Sequence, residues 1–104
     1  MDLEQAAYCL EKLGNPTRLH IVRLLVKAGP DGLSVGEIRR HLEIPASTLS
    51  HHILHLVGAG LVHQQREGRV LRCRPGFDLI EGLIAMLTEE CCAGIEARSA
   101  EKAS

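Results

Sequence analysis

The sequence predicts a mainly α-helical fold of five helices with one small β-hairpin, and three observations support it. Apolar residues recur at helical spacing in five segments, most of them bounded by a capping or helix-breaking residue. Residues 61–74 instead carry strand-forming residues on both sides of a Glu-Gly pair, which is typical of a hairpin. Residues 33–61 read as two short helices joined by a tight turn, and the other segments are arranged around this pair.

The composition fits one small globular domain. With 104 residues, 45% of them hydrophobic, the chain can form a single core. It has one Tyr, one Phe and no Trp, so base stacking on aromatic side chains is not expected. No apolar run approaches the ~20 residues of a membrane span, and the acidic N-terminus does not resemble a signal peptide. We therefore expect a cytoplasmic protein without membrane contact, whose four cysteines are free thiols.

The charges are distributed unevenly along the chain. The net charge of −1 combines a basic middle with two acidic ends: residues 15–74 carry +5, residues 1–14 carry −2 and residues 75–104 carry −4. A basic centre is suited to the phosphate backbone of DNA, whereas acidic ends are not. The charge pattern therefore favours DNA contact by the middle of the chain.

The first two helices are predicted from apolar spacing and helix stops. The first spans residues 2–13, and Gly14-Asn15-Pro16 ends it. Cys9 flanks the apolar face of this helix. Its thiol is interpreted either as functional or as a small buried group that fills space in the core. The second helix begins at Pro16 or Thr17 and continues to about residue 27. Residues 28–32 form a loop rich in helix breakers.

The helix pair begins with a capping-box pattern, in which Ser34 is followed three residues later by Glu37. Arg39 and Arg40 point outward from this third helix, where they suit phosphate contact as well as plain solvated surface. Residues 43–45 form the turn. Ser47 or a neighbour is expected to cap the fourth helix, which continues to about residue 57.

The fourth helix has an apolar stripe and a polar face. The polar face carries short or planar hydrogen-bonding groups near a helix N-terminus, where side chains can reach base edges. These candidate DNA-binding residues are Ser47, Thr48, His51 and His55, with Ser50 and His52 on the flanks. His51 and His55 could also hold a metal, but they lack a nearby third ligand, so this is the weaker interpretation.

The hairpin is predicted to have strands at residues 61–66 and 69–74, joined by Glu67-Gly68. Arg66 and Arg69 flank its tip, which favours contact with a phosphate backbone over a purely structural role.

A last amphipathic helix is predicted from residue 78, or a neighbour, to about residue 96. Its apolar stripe comprises Ile80, Leu83, Ile84, Leu87, Cys91 and Ile95. The chain is too small to bury both this helix and the first one fully, which predicts a homodimer interface. Residues 98–104 are expected to be a flexible polar tail.

The order of four helices, a hairpin and a last helix resembles, over essentially the whole chain, the winged-helix repressors of the ArsR/SmtB family, and three stretches carry the resemblance. Residues 13–25 (LGNPTRLHIVRLL) look like the family's second-helix signature. Residues 47–62 (STLSHHILHLVGAGLV) are similar to its recognition helix, and residues 66–69 (REGR) to its wing tip. The resemblance implies a DNA-contacting role for Ser47, Thr48, Ser50, His51 and His52. It also implies palindromic operator DNA as the partner, and repression relieved by an effector.

The same resemblance divides the chain into functional segments of one winged-helix domain. These are dimerisation helices at 1–14 and 77–97, a helix-turn-helix at 34–60, a wing at 61–74 and a tail at 98–104.

The resemblance leaves one candidate effector site. The Cys-x-Cys pair that some members carry at the third helix is replaced here by Ser34-Val35-Gly36, and no histidine follows His63. Cys91-Cys92 remains, and an adjacent pair in the last helix resembles arsenic-responsive members. The resemblance implies three sulfurs for As(III) or Sb(III), with Cys9 as the candidate third ligand and Cys73 a weaker one. On a helix the pair would diverge by about 100°, so joint binding would require the helix end to loosen.

Four interpretations follow. The first is a repressor without a resident cofactor, induced by arsenite or antimonite through Cys91, Cys92 and Cys9. The second is a repressor that senses oxidants or reactive sulfur through the same thiols. In the third, Cys91 belongs to the core and Cys92 is an idle surface thiol. The fourth is a protein-interaction module without DNA; an enzyme is not expected, because no nucleophile–base pair or phosphate loop is recognisable.

Overall fold

Five helices and three short strands follow one another in a computed structural model that describes residues 1–95. The elements are α1 Leu3–Leu13, α2 Pro16–Ala28, β1 Leu33–Ser34, α3 Val35–Leu42, α4 Ala46–Gly58, β2 Val62–Glu67, β3 Val70–Pro75 and α5 Phe77–Thr88. The predicted fold class, mainly helical with a hairpin wing, is confirmed. The predicted tail at 98–104 lies outside the described residues. Within residues 1–95, none of the helices has the length and apolarity needed to cross a membrane.

The helix starts follow local capping signals. Asp2 caps α1 by accepting a hydrogen bond from the backbone N–H of Gln5, whose side chain in turn accepts one from Asp2 N–H. Asn15 caps α2 by accepting from the N–H groups of Thr17 and Arg18, with Pro16 in the first turn. These contacts satisfy backbone donors that a helix start leaves free, which is why the predicted boundaries lie within a residue or so of the observed ones.

The sheet has one more strand than predicted, and its order is β1-β3-β2 with both pairs antiparallel. The added strand β1 pairs Leu33 with Cys73. Gly32 permits this approach, because its φ is +64° and a Cβ there would overlap the carbonyl oxygen of Cys73. The hairpin prediction was also wrong by one residue: Glu67 pairs with Val70, so the turn is Gly68-Arg69 rather than Glu67-Gly68.

The core gathers the apolar faces of α2, α3 and α4 under the sheet. Its fully buried members are aliphatic apart from one thiol: Ile21, Leu25, Ile38, Leu49, Leu56, Leu61, Val62 and Cys73. A smaller cluster of Ala6, Cys9 and Leu83 joins α1 to α5. α4 is therefore held on the large core by its inner face, with its other face left to solvent.

Two predicted helix ends were wrong. Pro45, not Ser47, is the N-cap of α4, and no side-chain hydrogen bond caps that helix. α5 ends at Thr88, well short of residue 96. The Thr88 hydroxyl donates to the carbonyls of Ile84 and Ala85, and Glu89 and Glu90 follow where the negative end of the helix dipole disfavours carboxylates. Cys91 and Cys92 therefore lie in a turn after α5, and Cys91 is not on its apolar stripe.

Candidate nucleic-acid interface and thiol pair

The two ends of α3 are defined by a capping box at its start and a left-handed residue at its end. The Ser34 hydroxyl accepts a hydrogen bond from Glu37 N–H at 3.1 Å, and Glu37 Oε1 accepts one from Ser34 N–H at 2.9 Å. Hydrogen bonds between Ser34 and the Glu37 carboxylate, that from the Ser34 backbone N–H first, lower the pKa of Glu37 below its usual value and so favour its charged form. Glu43 ends α3 in the left-handed conformation, with φ of 53°, and Pro45 then starts α4. Residues 43–45 therefore form the turn between α3 and α4, as predicted.

Four predicted base readers share the solvent face of α4. Ser47, Thr48, Ser50 and His51 are all exposed, while Leu49, Ile53 and Leu56 on the other face are buried. Arg39 and Arg40 are exposed in the last turn of α3. The structure thus places short hydrogen-bonding groups on the accessible side of one helix, with two arginines on the preceding helix. Such an arrangement can present donors and acceptors to base edges and cations to phosphates.

The other two predicted histidines are partly buried. His52 Nδ1 is buried and has no hydrogen-bond partner among residues 1–95. Burial, and then the positive charge of Arg18, lowers the pKa of His52. The His55 ring is engaged on both nitrogens, with Lys12 Nζ 3.3 Å from Nδ1 and His51 Nε2 3.2 Å from Nε2. The His55 ring therefore makes its hydrogen bonds within the protein, and the His52 side chain is partly buried.

Leu54 is a residue of this face that the sequence interpretation missed. It is 70% exposed in the middle of α4. It follows Ser47 by seven residues and Ser50 by four, so helical spacing alone could have placed it beside them. An exposed leucine among hydroxyls offers an apolar contact to the 5-methyl group of thymine in a major groove.

The wing carries two arginines in ion pairs and two without. Glu67 accepts hydrogen bonds from Arg72 at 2.8 Å and from Arg74 at 3.0 Å, and these bonds lower the pKa of Glu67. Arg66 on β2 and Arg69 in the turn are exposed and form no ion pair within residues 1–95. The two predicted phosphate contacts are thus the arginines left available at the tip.

The four cysteines form two classes. Cys9 and Cys73 are buried, and burial raises the pKa of both thiols. Cys91 and Cys92 are exposed in the turn after α5, where Cys92 has a φ of 62°, and their Sγ atoms lie 3.4 Å apart. Within the described 95 residues, no three His, Cys, Asp or Glu side chains are grouped to hold a metal. Cys9 is therefore not gathered with the pair in one subunit.

α1 and α5 leave apolar side chains uncovered. Leu3 is 74% exposed, Ile84 58% and Leu87 60%. Exposed large apolar groups on two neighbouring helices are typical of a protein–protein interface.

The comparison with known families and proteins agrees with this architecture. A family profile described as a helix-turn-helix domain matches residues 13–65. The transcriptional regulator YgaV of Escherichia coli is 32% identical over 89 residues, covering 86% of this chain and 88% of that protein. A Halobacterium salinarum protein named as an arsenical resistance operon repressor, ArsR, is 37% identical over 67 residues, covering 64% of this chain and 51% of that protein.

A solved structure extends the likeness to three dimensions. It is the solution structure of the homodimeric winged helix-turn-helix DNA-binding domain of a possible ArsR-family regulator from Mycobacterium bovis. The two chains superpose with a TM-score of 0.66 at 28% identity, over 85% of this chain and 82% of the other.

Proposed function

The chain belongs to the ArsR/SmtB family of winged helix-turn-helix transcriptional regulators, and from this premise we propose that it is a homodimeric repressor released from its operator by an effector that acts on Cys91 and Cys92. Arsenite or antimonite is the favoured effector. The observation that carries the proposal is the 3.4 Å separation of the two exposed Sγ atoms. Soft thiolates placed this close are suited to a thiophilic ion.

Operator binding would use the exposed face of α4 and the positive charges around it. Ser47, Thr48, Ser50 and His51 are the base readers of this proposal. Arg39 and Arg40, with Arg66 and Arg69 in the wing, would contact phosphates and supply the salt-dependent part of the affinity. His52 and His55 contribute less directly, since both are partly buried.

A homodimer would cover the apolar faces of α1 and α5. Leu3, Ile84 and Leu87 are uncovered in one chain, and the superposable Mycobacterium bovis domain is homodimeric. Two recognition helices related by a two-fold axis read two equivalent half-sites, so the operator of this proposal is palindromic.

The thiol pair is better suited to bridging an added atom than to closing on itself. Cα atoms of adjacent residues lie ~3.8 Å apart, whereas disulfides usually need ~4.4–6.8 Å. A direct Cys91–Cys92 disulfide would therefore be strained. A metalloid bound by both sulfurs avoids this strain.

Cys9 is the proposed third sulfur, and its position explains how binding would reach the dimer. It is buried in the small cluster between α1 and α5, and burial raises the pKa of its thiol. To meet Cys91 and Cys92 it must leave that cluster, which requires α1 and α5 to separate. Because the same two helices would form the interface, metalloid capture would disturb the dimer that holds DNA.

A second candidate is a repressor that senses oxidants or reactive sulfur. The observation that favours it is the absence, within residues 1–95, of a third thiol beside the exposed pair. A polysulfide bridge needs only two cysteine thiols, because the polysulfide supplies the bridging sulfur and oxidises the pair while sulfide leaves. Cys91 and Cys92 therefore suffice without any movement of Cys9.

DNA release by the wild-type dimer and by Cys91→Ser/Cys92→Ser tests both candidates. We expect arsenite or antimonite to lower the affinity of the wild type at least ~10-fold, the mark of a coupling free energy of 1–3 kcal/mol, and to leave the double variant bound. Release of the wild type only by peroxide or polysulfide, with a bridged pair in mass spectra, would select the second candidate. Continued metalloid release of the double variant would refute the first candidate, and continued release of that variant by peroxide or polysulfide would refute the second.

Two further measurements complete the test. Cys9→Ser should abolish metalloid release but preserve any release by polysulfide, which separates the three-sulfur site from the two-sulfur site. The affinity of the wild type for DNA should also fall steeply with salt, since phosphate contacts release counterions. A flat salt dependence would contradict the DNA-binding part of the proposal.

A further inference from the structure

Three side chains connect α1 to the recognition helix in a hydrogen-bonded relay, Lys12–His55–His51. Lys12 Nζ lies 3.3 Å from His55 Nδ1, and His55 Nε2 lies 3.2 Å from His51 Nε2. The lysine is itself well held: its side chain is 15% exposed and its Nζ lies 3.4 Å from a Glu11 carboxylate oxygen and 5.2 Å from the centre of the Tyr8 ring. The relay therefore starts from a fixed cation on α1 and ends on the solvent face of α4.

The lysine decides which nitrogen of each ring carries the proton. An ammonium group only donates, so His55 Nδ1 must accept. The proton of a neutral His55 is then on Nε2, from which it is donated to His51 Nε2. His51 Nε2 must in turn have a free lone pair, which puts the proton of a neutral His51 on Nδ1. The His51 side chain is exposed, and the described residues give its Nδ1 no hydrogen-bond partner.

We propose that Lys12 and His55 are positioning residues for DNA recognition, which hold His51 in the tautomer that presents Nδ1–H to the base. The inference rests on the proposed function, in which His51 is a base reader. In the major groove a donor of this kind pairs with the N7 of a purine, the O6 of guanine or the O4 of thymine. It rejects the amino groups of cytosine and adenine. The specificity at the base that His51 contacts would thus be set from α1.

The surroundings of His55 favour the neutral form of its ring, which the relay requires. Burial, and then the positive charges of Lys12 and Arg18 with the neighbouring His51 and His52, lowers the pKa of His55. Glu11 is the carboxylate that contacts the relay, and it bonds to Lys12 rather than to either ring.

The relay also bears on the metal site that the His51–His55 spacing suggested. Two histidines bind one metal through two free lone pairs. While Lys12 donates to His55 Nδ1, the Nε2 of that ring carries a proton and offers none. The same contact that orients His51 for DNA therefore competes with a metal.

Ring protonation can be measured on the free protein by ¹⁵N NMR of the histidines, without DNA. In the wild type we expect His51 to be protonated on Nδ1 and His55 on Nε2. Lys12→Met should make both rings mixtures of tautomers, whereas Lys27→Met, which removes an equal charge from the end of α2, should not. His55→Leu should release His51, but His55→Gln should keep it fixed, because the amide can accept from Lys12 and donate to His51. Protonation of His51 on Nε2 in the wild type, or no change in Lys12→Met, would overturn the relay.

The DNA consequence is measured separately, on sites that the wild-type protein selects from a random duplex library. Each position of the selected site is exchanged for the other bases, and purines are exchanged for their 7-deaza forms. We expect one position in each half-site at which the wild type prefers an acceptor by about threefold to tenfold, the effect of a single hydrogen bond. Lys12→Met and His55→Leu should lose this preference, and Lys27→Met and His55→Gln should keep it.

The outcomes distinguish the relay from the proposed function. Tautomers that change in Lys12→Met without any change in base preference would overturn the recognition step. A wild type that shows no salt-dependent DNA binding would overturn the proposed function and the recognition step together, while the NMR result would still decide the relay.

Discussion

The helix-turn-helix and wing in the middle of the chain differ from its thiol-bearing end in how tightly the rest of the molecule packs around them. α3 and α4 are fixed by the Ser34–Glu37 capping box and by buried side chains, and the wing by the ion pairs of Glu67. Every residue from 87 to 95 is exposed. A surface that reads DNA gains from a single conformation, because ordering it on binding would reduce affinity. A segment that responds to an effector must have a second conformation of similar free energy, and weakly packed segments have one.

The largest expected effect tests the packing of the helix-turn-helix, through two leucines of α4. Leu56 is fully buried, whereas Leu54, two residues earlier, is 70% exposed. Leu56→Ala should lower the free energy of unfolding by ~2–5 kcal/mol, since it removes buried methyl groups and leaves a cavity. Leu54→Ala should change it by less than ~0.5 kcal/mol but weaken DNA binding if Leu54 contacts a thymine methyl. Urea denaturation at one fixed protein concentration measures the unfolding free energies of the two variants. Equal losses of stability would contradict the assigned faces of α4.

The second-largest expected effect tests whether a second subunit covers the exposed apolar face of α5. Leu87→Glu places a charge on the uncovered face of α5, where a dimer would desolvate it. We expect the variant to stay folded but to dissociate at least ~10-fold more readily, a change of ~1.4 kcal/mol. Val26→Glu, on the exposed side of α2, is the control for an added charge. Sedimentation equilibrium reports the dissociation constants, and a dimer as strong as that of the wild type would show that the interface lies elsewhere.

The sequence range over which a structural signal acts explains how much of the fold was predictable. Most signals that act over three or four residues were interpreted correctly: the capping box at Ser34, the stripe of α4 and the breakers before α2 all lie where the sequence placed them. The hairpin turn and the N-cap of α4 were each misplaced by one or two residues. β1 was missed because two residues show no periodicity, and its pairing with Cys73 depends on a strand 40 residues later. α5 was predicted too long because apolar spacing continues to Ile95, although the described residues give that end nothing to pack against.

The candidate site was predictable to the same extent. Helical spacing placed Ser47, Thr48, Ser50 and His51 on one accessible face, and it could have added Leu54. It could not reveal that Lys12 contacts His55, because the two residues are 43 positions apart in sequence and meet only through the packing of α1 on α4. Nor could it place Cys91 and Cys92 at 3.4 Å, since that distance depends on the helix ending before them.

The smallest expected effect is a pH dependence of the unfolding free energy, which arises from a partly buried histidine of α4. His52 lies partly buried on α4, and burial, followed by the charge of Arg18, lowers its pKa below the usual value of 6.5. The folded protein therefore binds fewer protons than the unfolded chain just below pH 6.5. The stability associated with a neutral His52 is present above that pH, and is lost as the pH falls through the lowered folded pKa.

Unfolding free energies of the wild type between pH 7 and pH 5 should accordingly decline. His52→Leu should reduce the slope without removing it, because the pKa of His55 is lowered as well. His41→Gln, which removes an exposed histidine from α3, is the matched control and should retain the wild-type slope. If His52→Leu kept that slope too, His52 would not be a source of the acid sensitivity, which would then have to arise at His55 or at another group.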